Sequence, residues 1–142
     1  MWIKRYIRRI GVASSFAAEC WALRDGLLLA IQLGIKYLAV ELDALTVAKL
    51  VSDNSTSNRS YSHILNDCRF LQRQFHRFKV SHTFREANRC ADFLARAGCS
   101  LNEDFVVLDL PSSNVLLNML SLDATGLYSL RLTAMTSPFM AY

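Results

Sequence analysis

Strand-length apolar segments alternate with longer segments of helical period, and this alternation predicts an α/β fold. Three observations carry the prediction. The apolar run at residues 37–42 follows a helical stretch and ends at Asp43. Ile64, Cys68, Leu71 and Phe75 then recur at i, i+4, i+7 and i+11, the spacing of one helix face. From Phe78 the period switches to two: Phe78, Val80, His82 and Phe84 share one face, and Lys79, Ser81 and Thr83 the other.

The elements follow in order. Trp2, Ile3, Tyr6, Ile7 and Ile10, mixed with Lys4, Arg5, Arg8 and Arg9, suggest an exposed opening strand, whose cations are read as a solvated face. Ser14 and Ser15 offer an N-cap for a helix over 16–33. Ala18, Ala22, Gly26 or Leu27, and Ala30 recur in it at helical spacing, and Gly34 is its stop. A strand over 37–42 leads into a second helix over 44–51 and a Ser- and Asn-rich loop over 52–60. The third helix and the strand at 78–84 come next, and this strand is expected to pair in parallel with 37–42. A helix from Glu86 or Ala87 to Ala97 has Ala91, Leu94 and Ala95 expected inward and Gly98 as its stop. The tail holds a short apolar run at 105–110, broken by Pro111, and a weak helix at 114–122. Domain boundaries are set at 1–100, with 101–142 as a C-terminal extension.

Composition narrows the class. With 52% hydrophobic and 20% charged residues in 142, the chain reads as globular, and its net charge of +4 permits contact with a polyanion. Cysteines at 20, 68, 90 and 99 form no C-x-x-C pair, so they read as small thiols, the first three buried in helices. The first ten residues lack the apolar run of a secretory signal, and the longest apolar stretch is too short to span a bilayer. A soluble, intracellular chain without a membrane partner is expected.

Three acids stand where an α/β layout would gather them. Glu19 lies early in the first helix, and Asp92 lies in the last well-patterned one. Asp43 ends a strand, where sites in open α/β sheets form. Acids near helix N-termini ordinarily just complement the helix dipole, so spacing alone does not decide their role.

The residues around each acid say more. Ala18-Glu19-Cys20-Trp21-Ala22-Leu23, with Gly26, Leu27, Leu29, Ala30 and Gly34 beyond it, resembles the first helix of the plant retroelement-derived ribonuclease H-like (RNase H type 1) family. Glu41-Leu42-Asp43-Ala44 resembles that family's E-x-D-S strand end, with Ala44 in place of serine. The stretch from His82 to Ala95 resembles its H-x-x-R-E-x-N-x-x-A-D-x-L-A block, the most specific match. The resemblance extends over about residues 2–130, including Leu108-Asp109-Leu110-Pro111 and Asp123-Ala124-x-Gly126.

It implies a ribonuclease H-like fold, a mixed sheet flanked by helices, and hydrolysis of the RNA strand of RNA–DNA hybrids. It also implies two Mg²⁺ or Mn²⁺ ions roughly 3.5–4 Å apart on four acids. Glu19, Asp43 and Asp92 match three of those acids. The fourth belongs to a D-G-A/S block ahead of the first helix, and no Asp or Glu precedes Glu19 here. The opening segment therefore aligns with the family's third strand. The chain is expected to lack the first two strands, to cleave poorly alone, and to leave its first strand without a native neighbour, open to self-association.

His82 matches a histidine that assists proton transfer or product release in bacterial and retroviral relatives. It also fits the position of a strand tryptophan, and its strand face favours a packed role. Arg85 and Asn88 are candidates for phosphate contact or for capping, and Trp21 and Phe84 are expected in the core. Two other functions compete with hydrolysis: an inactive nucleic-acid-binding remnant, and a protein-interaction module using the open sheet edge.

Overall fold

The computed structural model describes residues 4–11, 13–53, 62–84, 89–110 and 113–124. Contacts divide the chain into two compact units, one of Ile10–His82 and one joining Met1–Arg9 to Thr83–Met140.

In the first unit, helix α1 (Ser15–Gln32) starts where the Ser14 hydroxyl accepts a hydrogen bond from the Ala17 amide at 3.2 Å. It ends at Gly34, whose φ of 72° is easy only for glycine. There the Ile35 amide donates to the Ala30 carbonyl and the Gly34 amide to Ile31, which closes the helix in a Schellman motif. Strand β2 (Tyr37–Leu42) and helix α2 (Leu45–Ser52) follow, then α3 (Ser62–Gln72) and β3 (Arg77–His82). The expected parallel pair forms, in register from Tyr37 opposite Arg77 to Leu42 opposite His82.

Alternation along this pair sends Leu38, Val40 and Leu42, with Phe78 and Val80, toward the helices. They meet Cys20, Leu23, Leu27 and Ala30 of α1, Val47, Ala48 and Val51 of α2, and Leu65, Cys68 and Leu71 of α3, with Phe75. The α1 face that enters the core runs through Cys20, Leu23, Leu27 and Ala30, so of the expected stripe Leu27 and Ala30 are buried while Ala18, Ala22 and Gly26 are half-buried. Leu23 and Leu27, one position along from Ala22 and Gly26, are larger and fill the space better. On α3, Leu65 is buried and Ile64 only half-buried. Arg69 is buried too: its Nη2 donates to the carbonyls of Leu50 at 2.7 Å and Asp53 at 2.9 Å, satisfying the C-terminal end of α2.

In the second unit, β1 (Arg5–Arg8) pairs antiparallel with β4 (Phe105–Leu108), from Arg5 opposite Leu108 to Arg8 opposite Phe105. The first strand is therefore not without a neighbour: the β-prone run Phe105-Val106-Val107-Leu108 supplies its backbone partners. Helix α4 (Arg89–Gly98) packs on β1, and α5 (Asn114–Ala124) packs on α4. Cys90 and Gly98 are the buried positions of α4 and Leu94, in line between them, is half-buried, whereas Ala91 and Ala95, expected inward, are exposed. Among the described residues the strands form these two pairs and no continuous sheet. No described helix is long and apolar enough to cross a membrane.

Candidate active site

Asp43 follows directly on the last residue of β2 and is half-buried. Because β2 and β3 run in parallel and in register, His82, the last residue of β3, stands opposite Leu42. The fold thus brings Asp43 and His82 to the same C-terminal end of the strand pair, from positions 39 residues apart in sequence. Strands that start level and have equal length must also finish level.

His82 is exposed, not packed with Phe78 and Val80. The strand ends at this residue, so the period-two pattern no longer binds it to the core face. Phe84, beyond the strand, is 62% exposed, and Trp21 is 38% exposed with the Arg24 guanidinium 5.4 Å from its ring centre. The expectation that these two aromatics belong to the core fails. α1 turns Cys20 inward, which leaves its neighbour Trp21 at the surface.

Glu19 lies in the second turn of α1, half-buried, in the same unit as Asp43. It precedes Cys20, whose thiol is pushed up to about 11, first by burial and then by the Glu19 charge. Glu41, two residues before Asp43, has its carboxyl raised by burial, and the charge of Lys79 opposes that rise.

Asp92 belongs to the other unit, in the first turn of α4. Its carboxylate accepts an ion pair from Arg96 at 2.9 Å, an i, i+4 contact on the helix surface. Arg85 and Asn88 lie outside the described residues. Among the described residues no group of three or more His, Cys, Asp and Glu side chains is close enough together to hold a metal ion. The donor chemistry of Glu19, Asp43 and Asp92 is carboxylate oxygen throughout, which suits Mg²⁺ or Mn²⁺ and not a thiol-seeking ion. Asp25 was not singled out by the sequence, yet it is only 2% exposed and lies 3.7 Å from Arg24. Nothing in its local pattern distinguishes it from an exposed helix acid.

The sequence pattern of the reverse transcriptase-like family matches residues 4–98. The chain belongs to this family. The match takes in Glu19, Asp43, His82 and Asp92 and stops before β4. Among curated proteins, this reverse transcriptase-like chain is 29% identical over 110 residues to a protein of Arabidopsis thaliana named as a ribonuclease H protein. That alignment covers 77% of the chain but 18% of the relative's length, so the chain corresponds to a small part of that protein. Among solved structures it is similar to the N-terminal RNase H domain of a Mycobacterium tuberculosis protein, solved as a fusion with maltose-binding protein. The TM-score is 0.60 at 28% identity, over 63% of this chain and 66% of that one. The fold is ribonuclease H-like.

Proposed function

We propose that this reverse transcriptase-like chain acts on nucleic acid as a ribonuclease H-type hydrolase module, directed at the RNA strand of RNA–DNA hybrids. The observation that carries the reading is the position of Asp43 at the C-terminal end of a parallel strand, with His82 ending the adjacent strand beside it. Sites in α/β sheets form at that end.

Glu19, Asp43 and Asp92 are the carboxylates assigned to divalent ions. Such ions, when bound, activate water and stabilise the leaving oxygen of an in-line displacement. The carboxylates' own part is to hold cations whose positive charge relieves their mutual repulsion. His82, in solvent at the same strand end, is assigned to proton transfer or product release. Arg85 and Asn88 are assigned to the phosphate backbone.

With Glu19 the first carboxylate in these 142 residues, the acid set has three members. The isolated chain is therefore expected to bind hybrid and cleave it poorly. Two measurements check this. Mn²⁺ titration followed by calorimetry should show binding that weakens at least about tenfold in Asp43→Asn, since even partners of metal ligands are worth that much. Binding unchanged by that substitution would remove Asp43 from the ion site. Brisk Mg²⁺-dependent cleavage of a labelled hybrid by the isolated chain would overturn the expected impairment. Hybrid binding without metal binding would favour the second reading, a nucleic-acid-binding module without hydrolysis.

A further inference from the structure

The end of the β2–β3 pair remote from Asp43 carries a different chemistry. Residues 33–37 and 72–77 meet there, and neither segment contains an Asp or Glu. They hold Lys36, Arg73 and Arg77. Parallel pairing starts both strands level, so Lys36 and Tyr37 meet His76 and Arg77. The Lys36 carbonyl accepts from the amides of His76 at 2.8 Å and Arg77 at 3.3 Å, which fixes the two segments together.

The side chains there face solvent. Lys36, Arg73, His76 and Arg77 are exposed, and Tyr37 is 68% exposed with its ring edge-on to His76 at 5.9 Å. Among the described residues, Lys36, Arg73 and Arg77 form no ion pair with a carboxylate. Two other arginines of this unit are engaged: Arg24 is paired with Asp67 at 3.1 Å, and Arg69 is committed to backbone carbonyls. Cations held at a strand end with no described acid paired to them form a complement to a polyanion. Arginine adds a planar fork that matches phosphate oxygens, and Tyr37 with His76 adds rings on which a base can stack.

We propose that the N-terminal end of the β2–β3 pair, centred on Lys36, Tyr37, His76 and Arg77, is a nucleic-acid contact that holds phosphate backbone away from the acids. It rests on the nucleic-acid reading above and adds a second point of attachment to it. Asp43 lies six residues along the chain from Tyr37, a span of roughly 20 Å at about 3.3 Å per residue. A nucleic acid gripped there is held independently of any ion at the carboxylates.

The test is binding of a labelled RNA–DNA hybrid to the whole 142-residue chain in a chelator, so that neither metal nor cleavage enters. The double variant Lys36→Gln with Arg77→Gln is compared with the parent across a salt series. Both positions are exposed, and an unchanged melting curve confirms that the variant is folded. Loss of two phosphate contacts should flatten the log–log salt slope by about two. It should also lower affinity by at least about tenfold at ~0.1 M salt.

A folded variant that binds like the parent would overturn the patch and leave the hydrolase reading standing. A parent chain that binds no hybrid at all would overturn both. Lys49→Gln removes an exposed cation from α2. If it flattened the slope as much as the double variant, net charge and not the patch would carry the binding. If the double variant released the chain from phosphatidylserine vesicles while holding hybrid unchanged, the face would belong to a lipid surface and the proposal would fall.

Discussion

The thiols of Cys20 and Cys68 show what burial does to single residues. Neither is accessible, and the Cys68 thiol lies 3.8 Å from the Cys20 carbonyl. Burial, helped by neighbouring negative charge, moves Cys20 to about 11 and Cys68 to about 12 from an ordinary 9.0. Both are therefore thiols at neutral pH and poor nucleophiles. A disulfide-exchange reagent at pH 8 should modify exposed Cys99 quickly and Cys20, Cys68 and Cys90 only on unfolding; rapid loss of four thiols from the native chain would contradict their burial. The raised values also fix a pH dependence. Their contribution to stability is complete below pH 9 and is lost as pH rises toward 11–12, where the unfolded chain ionises first. The melting temperature should fall across that window. Ala44 supports a second prediction at this scale. It precedes α2 without a side-chain hydrogen bond to the helix amides, so Ala44→Ser should raise stability by about 0.5–1 kcal/mol in a urea titration.

At the scale of elements, Gly98 decides how closely α4 approaches β1. A Cβ there would lie 3.0 Å from Ile7 Cγ2 and 3.2 Å from the Arg8 carbonyl oxygen. Alanine inside a helix ordinarily gains up to about 1 kcal/mol over glycine. Here the crowding against backbone should reverse the sign, and Gly98→Ala should lose about 1–2 kcal/mol in denaturant. A gain would show that α4 can move off β1 without cost. The sequence signalled Gly98 only as a helix stop, because a close approach to a distant strand leaves no local mark. The same limit separates what was legible from what was not. α1, β2, β3 and their parallel pairing were readable from caps, period and connection length. The β1–β4 pair was not: Tyr6 and Phe105 meet across about a hundred intervening residues, and antiparallel partnership has no spacing rule over that distance. Burial phase on helices was legible only in part: Leu27 and Ala30 of α1 are buried as the spacing allowed, whereas Ala18 and Ala22 are half-buried and Ala91 and Ala95 of α4 are exposed. Small residues such as Ala22 and Ala91 fit either face, whereas Leu27 and Cys90 fit only the covered one. Of the candidate site, the level ends at Asp43 and His82 follow from register. Exposure of His82 does not, since it depends on where pairing stops.

At the scale of the whole molecule, the two units draw on different parts of the chain. The buried cluster of the Ile10–His82 unit takes all its members from residues 20–75, within one continuous stretch. The other unit joins the first strand to the C-terminal third, and its buried residues among those described are Ile7, Cys90, Gly98 and Leu116. The family match ends at residue 98, yet β4 is the partner of β1, and Leu116 of α5 is 0% exposed. Deleting residues 101–142 therefore should not act evenly. It removes four strand pairings from β1 and the covering helix from α4, exposing a strand edge that invites association. Hydrogen exchange should show β1 amides losing protection while α1, β2, α3 and β3 keep theirs, with aggregation rising in proportion to concentration. A milder change, Leu116→Ala, empties a fully buried site and should cost about 2–5 kcal/mol, with the loss confined to the same unit. If β1 amides stayed protected in the shortened chain, some contact other than β4 and α5 would have to hold that strand. If protection fell equally in α1 and β3, the 20–75 core would depend on the tail, from whose described residues it draws no buried member.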